Sequence, residues 1–290
     1  FYLIEFSKNI AVISIEPLRY AIMKLDFLVI GSQKAGTSSI YQLLKQHKSV
    51  YLPRKKELKY FFHTSEFTKG ESYYHSYFQD AREDQIKGEA SPGYIAHPES
   101  AKRIFDYNPK IKLILTIRNP IDRAYSQYWH KRRNLKVSES FDFLISRDLD
   151  HHLYEKGSNG LFSRGLYIEY IEQYLEYFSR DQLLILDFDE LKASPSRFFK
   201  RVTDFLNITE LDNHLFENTV HNKSLYYDNP FYKFFFKQPQ FLKFCPKLLR
   251  SALFYGRKVS FNYQPIDPSA KQILMAVSYT HLTLPTTLSG

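Results

Sequence analysis

The stretch Leu25-Asp-Phe-Leu-Val-Ile-Gly31-Ser-Gln-Lys34-Ala-Gly36-Thr-Ser-Ser39 decides the fold. Its apolar run, Leu25 to Ile30, has the length and composition of a buried strand and stops at Gly31. Past the second glycine, Ile40, Leu43 and Leu44 recur at helical spacing, so the loop from Gly31 to Gly36 joins a strand to a helix. Such a turn aims backbone N–H groups and the positive end of a helix at one point, and glycine lets an anion come close. A lysine and hydroxyl side chains share the loop, which reads as a phosphate grip. It departs from the nucleotide P-loop G-x-x-x-x-G-K-[ST] because Lys34 precedes Gly36 instead of following it.

Working outward, Gln85 to Ala90 is a weaker strand and Ile111 to Ile117 a stronger one, nearly all β-branched or leucine. Asn119 and Pro120 then supply an N-cap and a first-turn proline, so a helix begins at once. Leu183 to Leu186 is another buried strand, preceded by a helix from Gly165 to Phe178 that carries Ile168, Ile171, Tyr174 and Leu175 on one side. Strands alternating with helices predict an α/β fold, a central parallel sheet flanked by helices. Phe231 to Phe254 reads as two short amphipathic helices packed on the sheet, with a membrane-touching or substrate-docking surface as the other option.

Composition narrows the class. With 290 residues, 43% of them hydrophobic, and only 10 Gly and 13 Pro, the chain is neither disordered nor collagen-like, and one enzyme-sized domain is expected. Cys245 is the one cysteine, so no internal disulfide forms and a reducing, cytoplasmic setting is expected. A formal net charge of +9 favours an anionic partner without saying which. No membrane span is expected, since Glu5, Lys8, Glu16 and Arg19 interrupt the apolar N-terminal segment. Met23 directly precedes the strand-forming segment, and from Ala276 the helical period gives way to Ser, Thr and Pro. A domain of residues 23–275 is therefore expected, with 1–22 and 276–290 read as non-native ends and 265–275 as a loop entering a helix.

The second strong strand ends in Arg118, where a magnesium-dependent P-loop enzyme would carry a carboxylate. A guanidinium there can hold a second phosphate directly, which points away from ATP hydrolysis. On the following helix Ile121, Ala124, Tyr125 and Tyr128 form an apolar face for the sheet. Asp122, Ser126 and His130 repeat at four-residue spacing on another face, directed at the space above the strand ends.

Gln33-Lys-Ala-Gly-Thr-Ser-Ser39 together with Arg118-Asn-Pro-Ile-Asp-Arg-Ala-Tyr-Ser-Gln-Tyr128 resembles the two cofactor signatures of the PAPS-dependent sulfotransferases, the heparan sulfate type and its bacterial relatives above all. Lys56-Glu-Leu-Lys-Tyr-Phe-Phe62, Gly88-Glu-Ala-Ser-Pro-Gly-Tyr94 and Arg164-Gly-Leu-Tyr167 also fit. The resemblance implies the P-loop-like sulfotransferase fold and sulfuryl transfer from PAPS to a hydroxyl or amine, a carbohydrate being the expected acceptor, without a metal. It assigns the 5′-phosphosulfate to Lys34, Ala35, Gly36, Thr37, Ser38 and Ser39, and the 3′-phosphate to Arg118 and Ser126. Lys34 also stabilises the leaving phosphate, Glu57 is the base, and His130 lies near the acceptor. Lys55, Lys56 and Lys59 are alternative ion partners for Glu57. Arg257 and Lys258 are expected in a late basic loop that closes over the cofactor, although the surrounding pattern matches poorly. Ala90 stands where heparan-type enzymes usually carry an acceptor-touching lysine, so their glycan specificity does not carry over. The rival readings are a P-loop nucleotide kinase or NTPase and a basic nucleic-acid-binding protein; the latter lacks a recognisable module.

Overall fold

A computed structural model describes residues 2–6, 9–13, 23–154, 160–216, 225–246, 257–260, 266 and 268. Its strands are β1 Tyr2–Phe6, β2 Asn9–Ile13, β3 Phe27–Gly31, β4 Val50–Tyr51, β5 Ile86–Ala90, β6 Lys112–Ile117, β7 Leu183–Asp187, β8 Leu225–Asp228 and β9 Arg257–Ser260. Its helices are α1 Thr37–Leu44, α2 Thr64–Phe67, α3 Gly70–His75, α4 Ser100–Tyr107, α5 Pro120–Arg133, α6 Phe141–Tyr154, α7 Tyr167–Leu175, α8 Phe188–Ala193, α9 Pro195–Leu206 and α10 Pro230–Lys237. The described residues fall into two compact units, one drawn from 1–32, 36–116 and 173–216, the other from 33–35, 117–172 and 217–290.

The first unit is built on a sheet of order β4-β5-β3-β6-β7. β3 runs parallel to both neighbours, Leu28 opposite Glu89 and Val29 opposite Ile114, and β4 is parallel to β5. All residues of β3 are buried, which is why it reads as a continuous apolar run and not as an alternating one. Ile40, Leu43 and Leu44 of α1 join Phe198, Phe199 and Val202 of α9 in one core with Val29 and Ile114. Each fully buried Phe contributes roughly 1.5–3 kcal/mol relative to leaving it in water. Phe61, Tyr74, Tyr94 and Tyr107 form a second apolar cluster, their rings meeting mostly edge to face. The sheet and its helices agree with the sequence reading. β1 and β2 pair as an antiparallel hairpin.

In the second unit Ile121, Ala124, Tyr128 and Trp129 of α5 pack with Phe141, Leu144 and Ile145 of α6 and with Leu161, Phe162 and Leu166. The sequence assigned that face to the sheet; within this unit its apolar partners come from α6 and from Leu161, Phe162 and Leu166. The predicted helix 165–178 divides into a 3-10 turn, Ser163–Gly165, and the shorter α7. In the Phe231 to Phe254 region, α10 is followed by a 3-10 turn, Pro239–Phe244. Tyr232 packs with Leu135 after α5, and its hydroxyl donates to the Arg133 carbonyl, so within this unit a loop and a helix end receive α10. Residues 247–254 and most of 265–275 lie outside the described residues. No described helix is long and apolar enough to cross a membrane.

Candidate active site

Gly36 shows why the phosphate loop needs glycine. Its φ is +90°, and a Cβ there would come within 2.8 Å of Leu191 Cδ2 and 2.9 Å of Phe188 Cδ2. α1 starts directly after it without a side-chain cap, and the Ser39 N–H turns back to the Gly36 carbonyl at 2.9 Å, closing the first turn. Thr37 and Ser39 are buried and Ser38 is half-buried at this helix start. The far end of the loop is fixed by Ser32, whose N–H donates to the Thr116 carbonyl at 2.8 Å, while Thr116 Oγ1 donates to the Gly31 carbonyl at 3.0 Å.

Ser38 meets Lys56, whose Nζ donates to Ser38 Oγ at 2.9 Å and lies 3.6 Å from Glu57 Oε1. Among the lysines offered as partners of Glu57, Lys56 is therefore the one engaged; Lys55 turns to the Tyr77 hydroxyl at 3.3 Å. Burial pushes the Lys56 ammonium below its ordinary pKa and Glu57 pulls it back up. The sequence reading treated Lys56 only as a neutralising neighbour and missed that it adds a cation to the phosphate loop. Glu57 itself has a positive φ of 61° and Lys59 one of 62°, a backbone region that costs a non-glycine residue about 1–3 kcal/mol.

In the second unit, Lys34 also has a positive φ, 70°, and its carbonyl accepts a hydrogen bond from Arg118 Nη1 at 3.2 Å. Lys34 and Arg118, separated by more than eighty residues of sequence, are thereby brought into direct contact. Arg118 is pinned through its main chain: Tyr167 Oη accepts from the Arg118 N–H at 3.3 Å and donates to the Arg118 carbonyl at 2.9 Å. The turn before Tyr167 is held in turn by Asp148, which accepts from the N–H groups of Phe162 and Ser163.

α5 begins as its sequence predicts, with Asn119 Oδ1 accepting from the N–H groups of Ile121 and Asp122 and Pro120 in the first turn. Arg123 is fully buried, donating to Gln127 Oε1 at 2.6 Å and to the Leu161 carbonyl; burial lowers its pKa. Gln127 passes the link on to Gln33 at 3.3 Å. Thus the helix bearing Ser126 and His130 is tied to the residue next to Lys34. Ser126 is buried and His130 half-buried, whereas Asp122 is exposed. His130 is pushed down to about 4, first by burial and then by the charges of Lys34, Arg133 and Lys136. The ring is therefore neutral at neutral pH. Its Nδ1 lies 3.1 Å from Arg133 Nη2 and its Nε2 3.1 Å from Asn134 Nδ2. Since the guanidinium can only donate, Nδ1 is the accepting nitrogen.

Arg257 and Lys258 do not form a loop. Both lie on β9, opposite Asp228 and Tyr227 of β8 in an antiparallel pair. The short run Arg-Lys-Val-Ser carries the β-branched Val259, and no glycine interrupts it.

At the end of β7, Asp187 is committed to capping α8, accepting from the Asp189 N–H at 2.8 Å, and β6 leads to Arg118. The strand ends thus offer a guanidinium where a magnesium-dependent kinase would place a carboxylate.

The parallel sheet with a glycine loop entering a helix, and the Arg118 bond to the Lys34 carbonyl, are the features that the comparisons with known proteins bear on. The chain belongs to the sulfotransferase domain family, which matches residues 24–231. It is 32% identical over 202 residues to mouse bifunctional heparan sulfate N-deacetylase/N-sulfotransferase 4, covering 63% of this chain and 22% of that protein. It is 30% identical over 186 residues to mouse heparan sulfate glucosamine 3-O-sulfotransferase 5, covering 62% of this chain and 53% of the relative. The chain thus spans a quarter or less of the first relative and about half of the second. Among solved structures, a sulfotransferase from Alicyclobacillus acidocaldarius superposes with a TM-score of 0.57 at 27% identity, covering 67% of this chain and 89% of that one. The kinase and nucleic-acid readings are not favoured.

Proposed function

We propose that this chain moves a sulfuryl group from PAPS to a hydroxyl or amine of a carbohydrate. The observation that carries the reading is the bond from Arg118 to the Lys34 carbonyl, which ties the second phosphate motif to the first. When bound, PAPS supplies an activated sulfuryl group whose bond to phosphate breaks as the acceptor bonds to sulfur. The residues divide the remaining work. Lys34 and the loop Ala35 to Ser39 hold the phosphosulfate, with the Lys34 ammonium meeting the charge that grows on the leaving phosphate. Arg118 and Ser126 hold the 3′-phosphate. Glu57 accepts the acceptor's proton, and neutral His130 lies near the acceptor without taking that proton, since a group titrating near 4 is a weak base at neutral pH. Arg257 and Lys258, carried on β9, are proposed as further cationic residues for the donor.

A carbohydrate acceptor is supported by the two relatives that sulfate heparan sulfate, and the net charge of +9 suits an anionic glycan. The lone cysteine remains consistent with a reducing compartment. The test is calorimetry with adenosine 3′,5′-bisphosphate against ATP with magnesium, followed by transfer from labelled PAPS to a panel of glycans, lipids and phenols. Saturable bisphosphate binding and label on a glycan support the reading. Preference for ATP with magnesium, or label on phenols alone, would overturn its donor or its acceptor respectively.

A further inference from the structure

Glu89 is a carboxylate at the end of β5 with 1% of its surface exposed, too deeply buried to touch an acceptor. Its oxygens are surrounded by donors. Oε2 accepts from the hydroxyls of Tyr74 at 2.7 Å and Tyr94 at 2.8 Å, and Oε1 accepts from the Ser91 hydroxyl and, at 3.1 Å, from the Leu58 N–H. Every neighbour donates, which suits the ionised form and offsets the burial that raises its pKa. The same charge and burial hold both phenols well above their ordinary pKa, so they stay protonated donors.

The Leu58 contact belongs to a ladder. The Glu57 N–H donates to the Ala90 carbonyl at 3.2 Å, the Leu58 N–H to Glu89, and the Lys59 N–H to Ser91 Oγ at 3.1 Å. Three consecutive amides of one turn are thus received by three consecutive residues at the end of β5. That turn contains two residues in the left-handed region, Glu57 and Lys59, a conformation that persists only where surrounding bonds over-determine it. Ser91 receives the Lys59 amide while its own hydroxyl is aimed at Glu89, so the carboxylate orients two of the three contacts.

We infer that Glu89 is a positioning residue for sulfuryl transfer: it fixes the strained turn 57–59 against the end of β5 and so sets where the Glu57 carboxylate stands. This rests on the reading of Glu57 as base. A misplacement of about 1 Å of a reacting group can cost on the order of a hundredfold in rate, so a buried residue that never meets substrate can govern turnover.

The test compares Glu57→Gln, Glu89→Gln and the double variant in the full chain, using transfer from labelled PAPS, affinity for adenosine 3′,5′-bisphosphate, and amide hydrogen exchange at Leu58 and Lys59. Glu89→Gln is expected to lower kcat roughly ten- to a hundredfold, leave bisphosphate affinity within about twofold, and speed exchange at both amides. In the Glu57→Gln background it should add almost nothing, because only one function is being lost; a general structural defect would multiply the two losses. Ser91→Ala, a milder change, should speed exchange at Lys59 and lower kcat several-fold even if Glu89→Gln fails to fold. An impaired Glu57→Gln beside a fully active Glu89→Gln, or multiplying losses, overturns the positioning role alone. A fully active Glu57→Gln removes Glu57 as base and takes this proposal with it.

Discussion

At the scale of single residues, the charges in the candidate site have separable tasks. Glu57→Gln should reduce turnover by roughly 10²- to 10⁴-fold, the usual worth of a general base, while calorimetry shows unchanged bisphosphate affinity. Arg118→Ala should do the reverse, weakening bisphosphate affinity by tenfold or more, because a charge-assisted hydrogen bond to phosphate contributes about 1.5–3 kcal/mol. Lys56→Met keeps the long apolar stem but deletes the cation beside Ser38. It should raise the KM for PAPS about tenfold with little change in melting temperature. An unchanged KM would show that Lys56 serves only to neutralise Glu57. Lys56 stood inside a motif that was legible in the sequence, yet its reach to Ser38 was not. That contact depends on how the segment after β4 folds back on the start of α1, a fact of three-dimensional placement.

Elements come next in scale. α5 is the clearest case of local chemistry dictating structure, since Asn119 caps it and Pro120 stands in its first turn as the sequence specifies. Asn119→Ala should destabilise the protein by about 1 kcal/mol, read as a shift in the denaturation midpoint. Gly36→Ala should cost more, since it combines a positive φ with crowding against Leu191 and Phe188, an overpacking that alone costs about 1–3 kcal/mol. The loop would have to move, and bisphosphate affinity should fall with it. The strands β3 and β6 were legible because burial on both faces makes them uniformly apolar. The weaker reading of β5 has a physical cause: its penultimate residue is Glu89, whose partners come from residues 58, 74, 91 and 94, so a charged residue sits where pattern reading expects an apolar one. The late basic segment was expected as a loop from the family resemblance, and neither that resemblance nor its charge decides between loop and strand. Its pairing with β8 does.

For the molecule as a whole, acidification should be costly through His130. Its pKa is about 4 in the folded state against an ordinary value of 6.5, so between those values the unfolded chain binds the proton more readily. Stability contributed by the neutral ring is complete above about 6.5, falls as the pH drops through this window, and is gone below about 4. His130→Gln should flatten the pH dependence of the urea midpoint between pH 4 and 6.5. An equally steep dependence in the variant would assign the effect to other groups.

The order of chemical signals along the chain was enough to determine the parallel α/β architecture, the phosphate loop, the strand-end arginine and the family to which they belong, because each depends on neighbours a few residues apart. Tertiary structure alone decided that Arg118 bonds to the Lys34 carbonyl, that Tyr167 fastens Arg118, that Lys56 joins Ser38, and that α5 packs on α6. It also decided that Glu89 anchors the turn bearing Glu57. These contacts join residues distant in the chain, and their energies come from burial and hydrogen-bond geometry that exist only once the backbone has closed around them.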